Sequence, residues 1–329
     1  MRAGLALALI LPVAFAGCEP DRSDEAIFLG WSAQAAAEAN GVAYRAERRY
    51  TDYVGVVPGE YTERYVQADE EHFRVDLLTL NGVARDAMTD AGEIKQFDLL
   101  QALFQGGRGR YNARGRDFRL KDLELFEANY TYVIYDDPAL VAGRLADVVD
   151  VTPRFGDRPS YTVWIDRETL ITLKYLEFQP NGALAAEMEV LSIDYGPDLA
   201  EVQFQQSAVG AATEVPQDQS AAFVSFAVLQ PTYLPRGFVW RSTRVRQLSG
   251  IDTLTSTYSD GLQELGIVQY REQEIRSANN TLPAKVGLKV YGPTTDAGFA
   301  VIGTEVHVTC KLDPQEIMTF IESLDLLLP

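Results

Sequence analysis

The residues of this chain that are best suited to catalysis are few and lie far apart. The two histidines, His72 and His307, fall in different predicted domains, each within a predicted strand, where a lone histidine is more often structural than catalytic. The segment 106–110 is rich in glycine, but it lacks the Lys-Ser/Thr ending and the strand-to-helix setting of a phosphate loop. No nucleophile elbow, dinucleotide fingerprint or metal-ligand spacing is present. The sequence therefore predicts a protein that is not an enzyme, with no catalytic residue, metal or cofactor.

Acidic pairs are the remaining route to catalysis. Glu70-Glu71 and Asp136-Asp137 are adjacent in sequence, which in an acidic chain indicates solvated turns, and Asp137-Pro138 predicts the start of a helix. Acids contributed by separate strands do not form a sequence motif, so a hydrolase with an unrecognised acid pair stays open as an alternative. Such an enzyme needs two convergent carboxylates in a cleft, with perturbed pKa values.

Cys18 indicates chemistry of a different kind, which is lipidation. Met1-Arg2 and the apolar run Ala3 to Gly17 have the layout of a secretory signal and are shorter than the roughly 20 residues of a membrane-spanning helix. Phe15 to Cys18 resembles a lipobox, at which signal peptidase II cuts before the cysteine that carries the lipid. The alternative is an ordinary cleavage site at Ala14 to Ala16, which leaves no lipid. Both interpretations predict an exported bacterial envelope protein.

The residues around the two cysteines predict where the mature protein lies. Glu19, directly after Cys18, favours sorting of a lipoprotein to the outer membrane, so we expect a periplasmic protein that is lipid-anchored there. Cys310 is then expected to be a small buried residue. If Cys18 carries no lipid, a disulfide between the two cysteines is the alternative in an oxidising compartment.

The charge of the chain excludes one class of partner and indicates another. A net charge of −18 argues against nucleic acid, because phosphate binding needs a surplus of Lys and Arg. One short segment reverses this charge and could contact an acidic partner segment or lipid headgroups. The alternative is a solvated loop and strand edge. The basic residues of this segment are Arg108, Arg110, Arg114, Arg116, Arg119 and Lys121.

The length of the chain and its succession of predicted helices and strands indicate an α+β protein with two domains. The expected segments are a signal peptide (1–17), a tether (18–25), a first domain (26–204), a linker (205–221) and a smaller second domain (222–329). In the first domain, helices are expected at 26–39 and 94–104, strands between 42 and 88 with a turn at Asn81-Gly82, and an antiparallel meander from 130 to 193. Its many tyrosines and phenylalanines could line a curved sheet that encloses an apolar ligand, although ordinary packing accounts for any one of them.

The second domain is predicted to be a smaller antiparallel sheet that ends in a helix. Asp260-Gly261 predicts a hairpin turn, and the last helix is expected to have Asp313 as its cap, Pro314 in its first turn and Glu316 completing a capping box. Its buried stripe is expected to be Ile317, Phe320, Ile321 and Leu324. The strands are expected near 239–247, 252–258, 262–270, 286–291 and 299–309.

Two blocks of this sequence resemble the MucB/RseB family of envelope-stress regulators. The block 141–178, with Trp164-Ile-Asp-Arg-Glu-Thr169 in its hairpin, resembles the N-terminal domain of that family, and Tyr233 to Phe238 with Tyr258 to Gly261 resembles the second domain. The resemblance implies a curved half-barrel sheet that wraps helices, as in LolA-like lipoprotein carriers. It also implies periplasmic binding of an anti-sigma factor, with release triggered by lipidic signals.

These observations lead to two competing binding functions. In the first, the open sheet of the first domain holds a lipidic ligand, while the second domain, together with the basic segment 108–121, holds an anti-sigma-type protein. In the second, the protein is a lipid or lipoprotein carrier of the LolA kind. Stable anchoring needs two or more acyl chains, so lipidation of Cys18 favours the tethered regulator over a carrier that must leave the membrane.

Overall fold

A computed structural model describes residues 43–54, 59–68, 72–93, 118, 120–204, 212–248, 251–271, 287–291 and 294–327. The predicted signal peptide, the lipidation site at Cys18 and the helices predicted at 26–39 and 94–104 lie outside these residues. So do Arg108, Arg110, Arg114, Arg116 and Arg119. Lys121 is the member of the predicted basic segment that the structure describes. In the described part of the chain, no helix is long and apolar enough to cross a membrane.

The first domain is an open antiparallel sheet with a short helix, α1 (Leu123–Asn129). Its strands are β1 (Tyr44–Asp52), β2 (Gly59–Gln67), β3 (His72–Leu80), β4 (Val83–Glu93), β5 (Tyr130–Val141), β6 (Arg144–Pro153), β7 (Ser160–Asp166), β8 (Thr172–Phe178) and β9 (Leu184–Tyr195). The strand order is β4-β3-β2-β1-β9-β8-β7-β6-β5, so β1 joins the two ends of the domain by pairing with both β2 and β9. The predicted meander is confirmed.

Alternating side chains explain why these segments form a sheet with one buried face. In β7, Tyr161, Val163 and Ile165 are buried, while the residues between them are partly exposed. This period-two burial is what a strand requires when one face of the sheet covers a core.

The prediction that Asp137-Pro138 begins a helix is wrong, because both residues lie in the edge strand β5. The register of β5 with β6 shifts between Tyr135 and Ala139, and Pro138 falls within this irregular stretch. Proline is tolerated on an edge strand because the outer side of that strand has no neighbouring strand that would need its missing N–H as a hydrogen-bond donor. The helix of this region is instead α1, for which Asp122 is the cap and accepts a hydrogen bond from Leu125 N at 3.0 Å.

The second domain is a seven-stranded antiparallel sheet with a terminal helix, α2 (Pro314–Glu322). Its strands are β10 (Thr213–Glu214), β12 (Val239–Leu248), β13 (Ile251–Ser259), β14 (Glu264–Arg271), β15 (Gly287–Tyr291), β16 (Thr294–Val301) and β17 (Thr304–Cys310), while β11 (Leu229–Pro231) and β18 (Leu324–Leu326) form a separate pair. The strand order is β10-β12-β13-β14-β17-β16-β15. The predicted α+β class, with an open sheet followed by a smaller sheet and a terminal helix, is confirmed.

The single strand predicted at 299–309 is wrong, since β16 and β17 form a hairpin there. The chain turns at Ile302 and Gly303, with φ angles of 52° and 73°. A β-branched residue with a positive φ is uncommon, so Ile302 gives no turn signal in the sequence. The predicted hairpin at Asp260-Gly261 is confirmed between β13 and β14.

The terminal helix begins where the sequence predicts, with one difference at its cap. Asp313 accepts from Gln315 N at 2.8 Å, and Pro314 lies in the first turn. The predicted capping box does not form, because the Glu316 carboxylate accepts from Tyr233 Oη at 2.5 Å and Asp313 N donates to the Asp157 carbonyl. Cys310 is 2% exposed in the second core, as expected.

The described part of the predicted linker packs on the second sheet. β10 pairs with β12, and a 3₁₀ helix follows at Gln217–Phe223. Val215 lies between them and is 3% exposed in an apolar cluster with Val228 and Leu254. Residues 205–211 lie outside the described part of the chain.

Candidate functional site

Tyrosine and phenylalanine side chains line the buried face of strands β1 to β3. Tyr44 stacks on Tyr65 with ring centroids 5.6 Å apart, and Tyr65 stacks in turn on Phe73 at 6.3 Å. Tyr50 and Tyr61 form a second pair at 6.1 Å. All five side chains are buried. Among the described residues, these side chains are the ones that correspond to the aromatic lining expected from the sequence.

The same face also carries a buried ion pair. Arg48 lies on the same buried face of β1 as Tyr44 and Tyr50, and its Nε lies 2.5 Å from Glu63 Oε1. The Arg48 guanidinium also lies over the Tyr65 ring, 4.4 Å from its centroid. Both charged side chains are almost fully buried. The buried face is therefore amphipathic rather than uniformly apolar, which is a property that the sequence pattern did not reveal.

A second buried ion pair, between Arg158 and Asp260, lies at a place that we call the junction. It is formed where α1, β5 and the β6–β7 turn of the first domain meet the β13–β14 hairpin of the second. Asp260, in that hairpin, is fully buried and accepts at Oδ2 from Tyr130 Oη at 2.7 Å and from Arg158 Nη1 at 2.6 Å. Its Oδ1 accepts from the backbone N–H groups of Leu262 and Gln263. One carboxylate thus holds its own turn and two groups of the other domain.

Arg158 is the partner that connects this carboxylate to the rest of the second domain. Its side chain is fully buried, and its Nη2 donates to the Arg236 carbonyl at 2.6 Å and to Asp157 at 3.1 Å. The guanidinium also lies over the Phe155 and Phe238 rings, about 5 Å from each centroid. Burial, together with the charge of Asp260, raises the pKa of Tyr130 well above its ordinary value. Tyr130 is therefore a neutral donor at physiological pH.

The backbones of the two domains also approach each other closely at the junction. Lys121 N and Asp122 N both donate to the Gly261 carbonyl, at 2.8 and 3.2 Å. Gly261 has a φ of +101°, and a Cβ placed on it would lie 2.4 Å from Phe126 N. Asn129 completes the contact, since its Nδ2 donates to the Asp260 and Gly237 carbonyls. Only glycine fits at position 261, because both the conformation and the space exclude a side chain.

Two ion pairs continue the junction toward solvent. Lys121 Nζ lies 2.8 Å from Glu264 Oε2, and Arg241 Nη1 lies 2.8 Å from Asp122 Oδ2. Each pair joins the two domains and is partly exposed, so its contribution to stability is small. The structure thus places Lys121 at the border with the second domain.

A further pair lies at the other side of the junction, where β8 meets the chain after β17. Glu177 is fully buried, and its Oε2 accepts from Lys311 Nζ at 2.7 Å. Burial raises the pKa of Glu177 above its ordinary value, and the charge of Lys311 opposes that rise. Nearby, Gln263 Nε2 donates to Tyr161 Oη at 2.7 Å, which adds another buried bond between the domains.

The turn at the end of β7 owes its shape to Asp166. This carboxylate accepts from Arg144, from Tyr195 Oη at 3.0 Å and from Glu168 N at 2.8 Å. Burial acts to raise the pKa of Asp166, but these hydrogen bonds hold it below its ordinary value. The Trp-Ile-Asp-Arg-Glu-Thr segment therefore builds a turn in this fold.

The two histidines lie in different sheets, as the sequence predicts. The His72 ring lies 6.2 Å from that of Phe204, and His307 stacks on Tyr270 at 5.9 Å. Among the described residues, no three or more His, Cys, Asp or Glu side chains are grouped to hold a metal ion. The buried carboxylates at the junction pair with Arg158 and Lys311 rather than facing each other across a cleft.

Comparison with known proteins identifies the first domain. Residues 60–208 match the family model of the MucB/RseB N-terminal domain. The first domain of this chain belongs to the MucB/RseB family. The matched MucB/RseB residues run from β2 to just beyond β9, so they include the part of the aromatic face on β2 and β3, the Trp164 hairpin and the first domain's side of the junction.

Curated MucB/RseB relatives extend this similarity. The sigma-E factor regulatory protein RseB of Escherichia coli (strain K12) is 26% identical over 157 residues, which are 44% of this chain and 48% of that protein. The sigma factor AlgU regulatory protein MucB of Pseudomonas aeruginosa is 30% identical over 186 residues, 53% of this chain and 58% of that protein. The matched regions thus span about half the length of these relatives. RseB of Salmonella typhimurium is 22% identical over 291 residues, 77% of this chain and 79% of that protein.

Solved MucB structures share the fold of both domains. The complex of Pseudomonas aeruginosa MucA and MucB superimposes with a TM-score of 0.56 at 18% identity, covering 92% of this chain and 99% of the other. MucB alone superimposes with a TM-score of 0.55, covering 90% of this chain and 96% of the other. The arrangement of an open sheet followed by a smaller sheet is therefore a fold already seen in MucB.

Proposed function

We propose that this chain is a periplasmic, lipid-anchored regulator of sigma-factor activity that binds an anti-sigma-type protein and a lipidic ligand. The observation that carries this proposal is the MucB/RseB match of residues 60–208. It is supported by the shared two-domain fold, since one of the similar structures is a complex of MucB with MucA. Regulation of sigma-factor activity is the process proposed because relatives are named as regulators of sigma-E and of AlgU.

The junction supports a partner surface that includes both domains. Because Lys121 pairs with Glu264, the segment that carries Arg108 to Arg119 ends at the border with the second domain. On a chain of net charge −18, this basic segment offers an acidic protein a local attraction that the rest of the surface opposes. Such charges mainly raise the association rate, and salt weakens their effect.

The amphipathic buried face of the first domain supports a lipidic ligand. The Tyr44–Tyr65–Phe73 row makes this face apolar, and the Arg48–Glu63 pair adds charged groups beside it. Apolar walls with a few polar groups are typical of ligand pockets. A ligand releases the partner only if it binds the free protein more tightly than the complex. A hundredfold release requires about 2.7 kcal/mol of such preference.

The test of partner binding uses the purified region from residue 19 onward and the periplasmic segment of the anti-sigma factor that its own genome encodes. We expect a 1:1 complex per chain, detected by titration calorimetry, and at least tenfold weaker binding when Arg108, Arg110, Arg114 and Arg116 are replaced by alanine. Arg154→Ala, an exposed arginine outside the basic segment, is the matched control. No binding by the wild type, or equal loss in the control, would contradict the proposal.

The lipidic ligand is tested on the same preparation. Native mass spectrometry is expected to detect co-purified lipid, and added lipid is expected to weaken partner binding at least tenfold. A lipid-free protein whose partner affinity does not respond to lipid would remove the ligand from the proposal while leaving the partner.

Lipid anchoring is tested at Cys18. We expect a fatty-acid analogue to label the wild-type chain in the membrane fraction, and Cys18→Ala to lose both the label and the membrane association, because two or more acyl chains are needed for stable anchoring. Cys310→Ala retains Cys18 and is expected to be labelled like the wild type. An unlabelled wild type would instead favour the soluble carrier of lipids or lipoproteins.

A further inference from the structure

Two leucines are exposed side by side near the tip of the β5–β6 hairpin. Leu140 and Leu145 lie directly opposite each other in the register of the two strands, and they are 70% and 53% exposed. Among the exposed large apolar side chains of the described residues, Leu140 has the greatest exposed fraction. A single exposed apolar side chain is common on a protein surface, whereas neighbouring ones form a patch that marks contact with a membrane or another protein.

The backbone around this pair is held in a defined conformation. Ala142 and Gly143 form a two-residue turn with φ angles of 50° and 76°, and positive φ at both positions matches the twist of two antiparallel strands. Arg167 N, in the neighbouring β7–β8 turn, donates to the Leu145 carbonyl at 3.0 Å. The hairpin therefore presents both leucines from a supported turn rather than from a long loop.

The cations next to the leucines are already paired with carboxylates. Arg144 donates to Asp166 and, at 2.7 Å, to Glu168, and Arg167 Nε lies 2.7 Å from Asp147 Oδ1. Two cations thus accompany three carboxylates, so these groups leave no surplus of positive charge for anionic headgroups. Binding at this tip must therefore come from apolar contact, which salt does not screen.

The tip lies at the end of the first sheet at which the chain that follows Cys18 enters. Because neighbouring strands alternate in direction, the β5–β6 turn is at the same end as the start of β1 and the end of β9. Tyr195 of β9 pairs with Tyr44 of β1, and its Oη lies 2.9 Å from Thr169 Oγ1 in the β7–β8 turn. The Arg144 guanidinium lies over the Tyr195 ring, 4.9 Å from its centroid. The β6–β7 turn, which contacts the second domain at the junction, is at the opposite end.

We propose that the Leu140–Leu145 tip is a membrane-contact site, which inserts into the surface of the phospholipid bilayer that holds the Cys18 anchor. This inference rests on the proposed lipid anchoring. The 24 residues 19–42 connect Cys18 to Ala43, so the anchor brings this end of the first domain to the bilayer. Two leucines bind a bilayer weakly by themselves, but a tether makes their contact intramolecular and so raises its occupancy. The contact orients the first domain, with the junction and the second domain directed away from the membrane.

The test attaches the chain to vesicles without using Cys18, so that its result does not depend on lipidation. The region from residue 19 onward carries an N-terminal hexahistidine tag and is captured on phosphatidylcholine vesicles that contain a nickel-chelating lipid. The environment-sensitive dye NBD is attached to Leu140→Cys, while the native Cys310 is 2% exposed and therefore protected from the dye. We expect the emission maximum to move to shorter wavelength on capture, equally at low and high salt, because the contact is apolar.

Ile302→Cys with the same dye is the matched control. Ile302 is also an aliphatic side chain at a hairpin turn, and it is 68% exposed. It lies at the end of the second sheet away from the junction, because β17 begins beside it and ends next to Lys311, which pairs with Glu177 of the first domain. We expect no change of its emission on capture. Adding Leu145→Ser to the labelled Leu140→Cys variant is expected to reduce the shift, since it removes half of the apolar pair.

The outcomes separate this proposal from its alternatives. No shift at position 140, or an equal shift at position 302, overturns it. A shift that needs no vesicles and grows with protein concentration also overturns it, because the tip would then dock on a second copy of the chain. Failure of the lipid anchor is detected separately, as a Cys18 that the fatty-acid analogue does not label, and leaves the vesicle result unchanged.

Discussion

Replacement of Asp260 by alanine is expected to lower the free energy of unfolding by about 3–5 kcal/mol, the range for breaking a buried ion pair. The carboxylate is fully buried and accepts from Tyr130, Arg158 and two backbone N–H groups. Alanine leaves the Tyr130 hydroxyl and the Nη1 of the buried Arg158 without their Asp260 acceptor. It also removes the hydrogen bonds that shape the β13–β14 turn.

Urea denaturation monitored by circular dichroism measures this loss. Asp218→Ala is the matched control, because Asp218 is an exposed carboxylate of the same domain and its removal is expected to change stability by no more than about 0.5 kcal/mol. The double variant with Arg158→Met is expected to be less destabilised than the two single changes added together, since it removes both charges of one pair. A loss below about 1 kcal/mol for Asp260→Ala would show that the carboxylate does not hold the junction.

Gly261→Ala is expected to lower the free energy of unfolding by about 2–5 kcal/mol, although it adds only a methyl group. The φ of +101° is unfavourable for any residue with a Cβ, by roughly 1–2 kcal/mol. The new methyl would also lie 2.4 Å from Phe126 N and 2.8 Å from the Asp122 carbonyl, and such overpacking adds about 1–3 kcal/mol. Both contacts are with the backbone of the other domain, so the domains must separate to relieve them.

Gly143→Ala separates the two causes. Gly143 has a φ of +76°, but a Cβ there would meet no atom within 4 Å, so only the conformational part of the loss is expected. Hydrogen exchange of the Lys121 and Asp122 amides gives a local measure, because both donate to the Gly261 carbonyl. We expect faster exchange of these amides in Gly261→Ala and unchanged exchange in Gly143→Ala. Equal stability losses in the two variants would mean that the close approach is relieved without separating the domains.

Local signals in the sequence were sufficient for much of the fold. Alternating burial in β7, the Asn81-Gly82 turn and the Asp313-Pro314 helix start follow from rules that act over a few residues, and all three are present. The errors arose where local signals conflict with position in the sheet. Pro138 in β5 is tolerated because that strand lies at the edge, and edge position is not a local property.

The candidate sites depend even more than the fold on contacts between residues that are far apart in the sequence. The aromatic content of the first domain is apparent in the sequence, but the ion pair buried among those rings depends on Arg48 and Glu63 meeting across β1 and β2. Arg158 and Asp260 are 102 residues apart and carry no motif. Charged residues are usually exposed, so nothing in their local sequence indicates that they are buried together.

The sequence by itself determined the α+β class, the positions of most strands along the chain, the acidic character and the MucB/RseB resemblance. Periodicity, turn chemistry, charge and motifs are properties of neighbouring residues. Only the tertiary structure decided that the two domains meet through Asp260 and Gly261, and that the Leu140–Leu145 pair lies at the end of the first sheet where β1 begins. Those features depend on distances between residues far apart in the chain. Burial then makes the loss of one partner of a charge pair cost more free energy than it would at the surface.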